Sequence, residues 1–114
     1  MVQSRAPQLA QMRKGALEYC VLALLRDGER YGFELVKELS AAELVTSEGT
    51  IYPLLSRLRQ DGAVETSWRE STQGPPRRYY KLTSEGKASL DIFATEWQRF
   101  SRAVSGILES GGVR

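Results

Sequence analysis

Apolar residues along this chain recur first at helical spacing, then at every second position, then at helical spacing again. In "ALEYCVLALLRDG", Leu17, Cys20, Val21, Leu24 and Leu25 make a wide apolar face and Gly28 supplies a stop, which predicts a central core helix. Ahead of it, "PQLAQMRKG" allows a short helix from about Gln8. "RYGFELVKELS" places Leu35, Val36 and Leu39 inward, with Glu34, Lys37 and Glu38 outward. In the next helix Ile51, Leu54, Leu55 and Leu58 follow the i, i+3, i+4, i+7 pattern, and Gly62 ends it.

That helix contains Pro53, which has no N–H to donate and crowds the preceding turn. With Thr50 as the cap, Pro53 falls in the first turn, where a missing donor costs little. With Ser47 as the cap, Pro53 lies further in and bends the helix. In either register Ile51, Leu54, Leu55 and Leu58 pin the helix to the core, leaving Thr50, Tyr52, Ser56 and Arg57 outside.

The period then changes to two. In "AVETSWRES", Val64, Thr66 and Trp68 face one way while Glu65, Ser67 and Arg69 face the other. "TQGPP" is a turn cluster and "RRYYKL" a second strand, giving a hairpin with Arg77 and Arg78 at its tip and Trp68 at its base. From Thr83 or Ser84 as cap, one long helix runs to about Leu108. The predicted fold is mainly α with a small β-hairpin. The order helix, helix, helix, hairpin is that of a winged helix-turn-helix, whose third helix enters the DNA major groove with the hairpin as wing beside it. Residues 1–82 are expected to form the DNA-binding domain and 83–114 a C-terminal dimerisation helix and tail.

The seam of the last helix supports that division. Leu90, Trp97 and Val104 recur every seventh position, as do Phe93, Phe100 and Ile107, two interleaved heptad positions of a coiled-coil-like stripe. Such a stripe either folds back on its own domain or pairs with a second copy. Dimerisation is favoured, because a palindromic operator requires two recognition helices about one DNA turn, ~34 Å, apart.

Charge and composition sharpen the picture. The net charge of +2 is small, but Met1–Leu17 carries Arg5, Arg13 and Lys14 with no acid, and Ser71–Ser84 carries Arg77, Arg78 and Lys81 with no acid. Acid-free basic stretches suit a phosphate-facing surface, where counterions are released on binding; a solvated terminus and a solvated loop would show the same composition. The expected DNA-contacting set is therefore Thr50, Tyr52, Ser56, Arg57, Arg77, Arg78, Lys81 and Lys14. No histidine and a single cysteine, Cys20, exclude the usual zinc sites and a serine–histidine triad. No catalytic constellation, cofactor motif, signal peptide or membrane-length apolar run is present, so a non-enzymatic cytoplasmic protein without cofactor is expected.

"RKGALEYCVLALL", "YGFELVKEL", "GTIYPLLSRLRQDGAVE" and "GPPRRYYKLTSEG" together resemble the PadR family of bacterial transcriptional regulators, in unbroken order from about Met12 to Leu90. The short chain with one long C-terminal helix is similar to its small subfamily, which includes multidrug-responsive repressors. The resemblance implies a homodimer that represses transcription until an effector binds. It also implies that Trp97, with Phe93 and Phe100 one turn either side, stacks on a planar aromatic effector at the dimer interface, the alternative being that Trp97 fills that interface. Two other functions fit the same residues: a winged-helix protein-interaction module without DNA readout, and a small-molecule carrier built on a helical dimer. An outer face of polar and basic groups favours DNA over the module.

Overall fold

The computed structural model describes residues 15–44 and 48–110, so the expected helix from Gln8 lies outside the described residues, as does Lys14. Helix α1 (Leu17–Leu24) leads to a two-residue strand β1 (Arg30–Tyr31) and helix α2 (Gly32–Ala41). Helix α3 (Glu48–Gln60), strands β2 (Val64–Ser71) and β3 (Gly74–Leu82), and helix α4 (Ser84–Ser110) complete the chain. The sheet order is β1–β3–β2, with antiparallel pairing throughout. This is the winged helix-turn-helix with a long last helix. No helix among the described residues is long and apolar enough to cross a membrane.

Helices α2 and α3 bury the faces their periods mark. Leu17, Val21 and Leu22 from α1 and Leu25 at its C-terminal cap meet Leu35, Val36 and Leu39 from α2 and Ile51, Leu54, Leu55 and Leu58 from α3, closed by Val64, Tyr80 and Leu90. Leu22 is in this core although it lies off the expected stripe, whereas Cys20 and Leu24 are only half-buried.

Helix ends are set by backbone chemistry. After α3, Gly62 takes a left-handed conformation (φ 81°), and the Ala63 and Gly62 N–H groups donate to the Leu58 and Arg59 carbonyls at 3.0 and 3.1 Å. Glu43 does the same after α2 (φ 62°), with the Leu44 N–H on the Leu39 carbonyl at 2.9 Å. The described part of α3 begins at Glu48, so Thr50 lies within the helix rather than at its cap and Pro53 beyond the first turn, while Ser47 lies outside the described residues. The carbonyl that Pro53 leaves without a donor belongs to Gly49, an exposed residue open to water. Thr83 is the cap of α4: its Oγ1 accepts the Gly86 N–H at 3.0 Å.

Two expectations about the hairpin are corrected. Strand β3 begins at Gly74, so the tip is Thr72–Gln73, and Arg77 and Arg78 lie inside the ladder opposite Arg69 and Trp68. Pro75 and Pro76 are tolerated because the register is irregular between Arg69 and Ser71 and β1 pairs with β3 only at Tyr79 and Tyr80. By the same register Trp68 stands midway out along the wing, paired with Arg78, and is 62% exposed.

Candidate nucleic-acid interface and aromatic groove

Burying Ile51, Leu54, Leu55 and Leu58 leaves the opposite face of α3 to Gly49, Pro53, Ser56 and Gln60, by the 3.6-residue period. Tyr52 and Arg59 flank that face on one side, Thr50 and Arg57 on the other, and all of these residues are exposed. The two flanks differ in surroundings. Tyr52 lies across the start of α2, its ring so near Gly32 that a Cβ there would fall 2.8 Å from Tyr52 Cε1. Burial, with Glu48 and the nearby Tyr80 and Tyr31 phenols, raises the Tyr52 pKa, so its hydroxyl keeps its proton and can donate. Arg57 is not free: its guanidinium donates to Glu18 of α1 at 2.8 Å.

Alternation along β3 puts Arg77 and Arg78 on opposite faces of the wing. Arg77 lies over the Tyr31 ring at 4.4 Å, on the face where Arg69 covers Tyr79 at 4.3 Å and Tyr31 meets Tyr79 at 5.7 Å. Arg78 lies over Trp68 at 4.8 Å on the other face, with its Nε buried and lacking a hydrogen-bond partner. Lys81 is exposed opposite Glu65. Arg69, which also forms an ion pair with Glu29, joins the wing cations without having been expected there. Its outward position in "AVETSWRES" was legible, but its stacking on Tyr79 depends on the β2–β3 register. Arg59 and Gln60 were also missed; they follow from extending the period of Tyr52 and Ser56 by one turn.

Elsewhere, α1 and α4 form an open groove of about 500 Å³. Its wall is a run of rings: Tyr19 stacks on Phe93 (4.1 Å, 2°) and Phe93 on Trp97 (5.9 Å, 18°), while Phe100, which tilts against Trp97 (6.4 Å, 45°), lies outside the groove lining. Cys20 and Leu44 line the floor, with Arg26 and Glu43 at the rim. Burial pushes the Cys20 thiol pKa up, keeping it protonated at neutral pH. The seam is divided: Leu90 belongs to the protomer's own core, a correction to its place in a stripe shared between copies, and Phe93 is half-buried against Tyr19. Trp97, Phe100, Val104 and Ile107 remain exposed, Ile107 at 70%. No group of three or more metal-ligating side chains occurs among the described residues.

Comparison with known proteins matches residues 21–92 to the family described as Transcriptional regulator PadR-like. A solved PadR-like transcriptional regulator from Bacillus cereus is 38% identical, with a TM-score of 0.75 over 86% of this chain and 96% of that one. A PadR family transcriptional regulator from Eggerthella lenta is 31% identical, with a TM-score of 0.81 over 92% of both chains. Transcriptional regulator Rv3488 of Mycobacterium tuberculosis is 32% identical over 98 residues, which cover 86% of this chain and 91% of that protein.

Proposed function

The chain belongs to the PadR-like family of transcriptional regulators, and on that premise we propose that it is a homodimeric repressor of a palindromic double-stranded operator, released when a planar aromatic molecule enters the groove beside Trp97. The observation that carries the DNA reading is the exposed polar outer face of α3, whose Tyr52 reaches Gly32 next to the Tyr31 ring that the wing cation Arg77 covers, with Lys81 exposed on the same strand. Base edges are read by the α3 side chains and phosphates are held by the wing. Thr50, Tyr52 and Ser56 present hydroxyls to the groove, and Lys14 adds a cation from the N-terminal segment.

Dimerisation is supported by Trp97, Phe100, Val104 and Ile107, a row of exposed apolar side chains on a 27-residue helix about 40 Å long at 1.5 Å per residue. Pairing two such helices sets the separation of the two recognition helices. A ligand wedged between the rings and that pairing alters the separation, which is how the groove reports to DNA. Flat aromatic ligands suit the site because its wall is flat rings, each stacked pair contributing ~0.5–1.5 kcal/mol beyond area burial.

Selection of genomic fragments retained by the protein, followed by footprinting, tests this reading. The expected result is an inverted repeat protected in two half-sites one helical turn apart, with protection lost when a planar ligand saturates the groove. Uniform retention of all fragments, or none, overturns it.

A further inference from the structure

The hydrogen bond from Arg57 to Glu18 is the one ion pair that joins α1 to the recognition helix among the described residues. Its surroundings are hostile to DNA. The acceptor Glu18, together with Asp61 and Glu85, lines a cleft of about 230 Å³ between α1, the end of α3 and the start of α4, which Arg57 itself does not line. A phosphate drawn to Arg57 from the Glu18 side meets the Glu18 carboxylate first, with Asp61 and Glu85 beside it in that cleft. The pair is also open to water, with side-chain exposures of 55% and 29%, so it adds little to folding stability. What it adds is direction. Apolar packing of Ile51, Leu54, Leu55 and Leu58 sets the inward face and the approximate angle of α3, and the Glu18 contact is the polar constraint on its Arg57 flank. A charge-assisted hydrogen bond does have a preferred angle.

We propose that Glu18 and Arg57 are a positioning pair: Glu18 holds Arg57 so that α3 is rolled with Tyr52, Ser56 and Gln60 toward the major groove, and Arg57 itself reads no base. This rests on the DNA-binding reading above. The two side chains come from opposite ends of the helix-turn-helix sequence, 39 residues apart, so their relation is a property of the fold.

The test uses the full-length protein, the operator fragment recovered by selection, and random DNA of equal length. Glu18→Ala and Arg57→Ala are each expected to lower operator affinity by about threefold, a loss of the size that an ion pair this exposed can supply. The double alanine variant is expected to be no worse than either single one. The slope of log affinity against log salt should match the wild type in all three, because no phosphate contact is lost. Thermal midpoints should stay at the wild-type value, and the charge-reversed protein, Glu18→Arg with Arg57→Glu, should regain most of the loss.

If Arg57→Ala weakens binding and flattens the salt slope while Glu18→Ala does not, Arg57 touches DNA directly and the proposal is wrong. Tighter binding by Glu18→Ala overturns it as well, since Glu18 would then merely compete with DNA for Arg57. Unchanged binding by both alanine variants has the same consequence. Should the charge-reversed protein fail to fold, the double-alanine comparison still decides. A wild-type protein that binds no DNA removes the underlying DNA reading, a result obtained before any variant is made.

Discussion

Gly86 stands so close to Ala63 that a Cβ built on it would lie 2.1 Å from the Ala63 carbonyl oxygen. Gly86 is the third residue of α4, and its N–H is held by Thr83 Oγ1, which in turn donates to the Gly62 carbonyl at 2.6 Å. This junction fixes where the long helix leaves the wing. The obstacle to any side chain at residue 86 is backbone, which cannot swing aside. Gly86→Ala should therefore cost about 3 kcal/mol or more and lower the thermal midpoint by roughly 10 °C or more, as calorimetry would show.

Gly32→Ala tests the other close approach with the opposite signature. The group in the way is the Tyr52 ring, a side chain that can rotate. Stability should stay within about 1 kcal/mol, since alanine also favours the helix. Discrimination between operator and random DNA should fall as it does for Tyr52→Ala, by ~1–3 kcal/mol for a lost base contact. Retained discrimination in a folded Gly32→Ala protein would show that the Tyr52 position is unimportant to readout.

The two wing arginines should separate in salt titrations. Arg77 leans on Tyr31, the residue before Gly32, and so lies on the side where Tyr52 of α3 approaches α2. Arg78 covers Trp68 on the opposite face. Arg77→Ala is expected to weaken binding to all DNA alike and to flatten the log–log salt slope by about one. Arg78→Ala should leave the slope near that of the wild type, and equal slope changes would place both faces against DNA.

Phe100→Asp puts a carboxylate into the exposed apolar row of α4. Desolvating it without a partner costs several kcal/mol, roughly the 2–7 kcal/mol range or more for buried polar groups. Sedimentation should show a monomer with unaltered far-UV circular dichroism and no operator binding. A wild-type protein sedimenting as a monomer at micromolar concentration would refute dimerisation outright.

Trp97 and Cys20 report on the groove from two sides. A planar ligand stacked on Trp97 should quench its emission even in a Trp68→Phe protein. Because burial raises the Cys20 pKa, less thiolate is present at a given pH and iodoacetamide should label it more slowly than a free thiol. Labelling should quicken as pH rises, and bound ligand should slow it again. In Trp97→Ala both quenching and protection should vanish while operator binding persists. The turn of α1 that carries Tyr19 against Phe93 also carries Glu18, so ligand and DNA affinities should be linked, about tenfold for each ~1.4 kcal/mol of preference.

Local pattern determined which segments became helices and strands. The period of Leu35, Val36 and Leu39, and of Ile51, Leu54, Leu55 and Leu58, marked faces that are all buried, because one turn of helix repeats within the sequence window that encodes it. The acid-free composition of β3 and the aromatic spacing of the last helix were legible for the same reason. What depended on partners distant in sequence was decided only by tertiary structure. A two-residue strand such as β1 has no period of its own and exists because β3 offers it a ladder. The place of Arg77 and Arg78 in that ladder followed from register, which moved the tip to Thr72–Gln73. Leu90 carries the heptad spacing of Trp97 and Val104, yet its position opposite α1 buries it within one protomer. Arg57 has the outward spacing of a groove residue, but Glu18 reaches it across the helix-turn-helix, and a contact spanning 39 residues leaves no trace in local spacing.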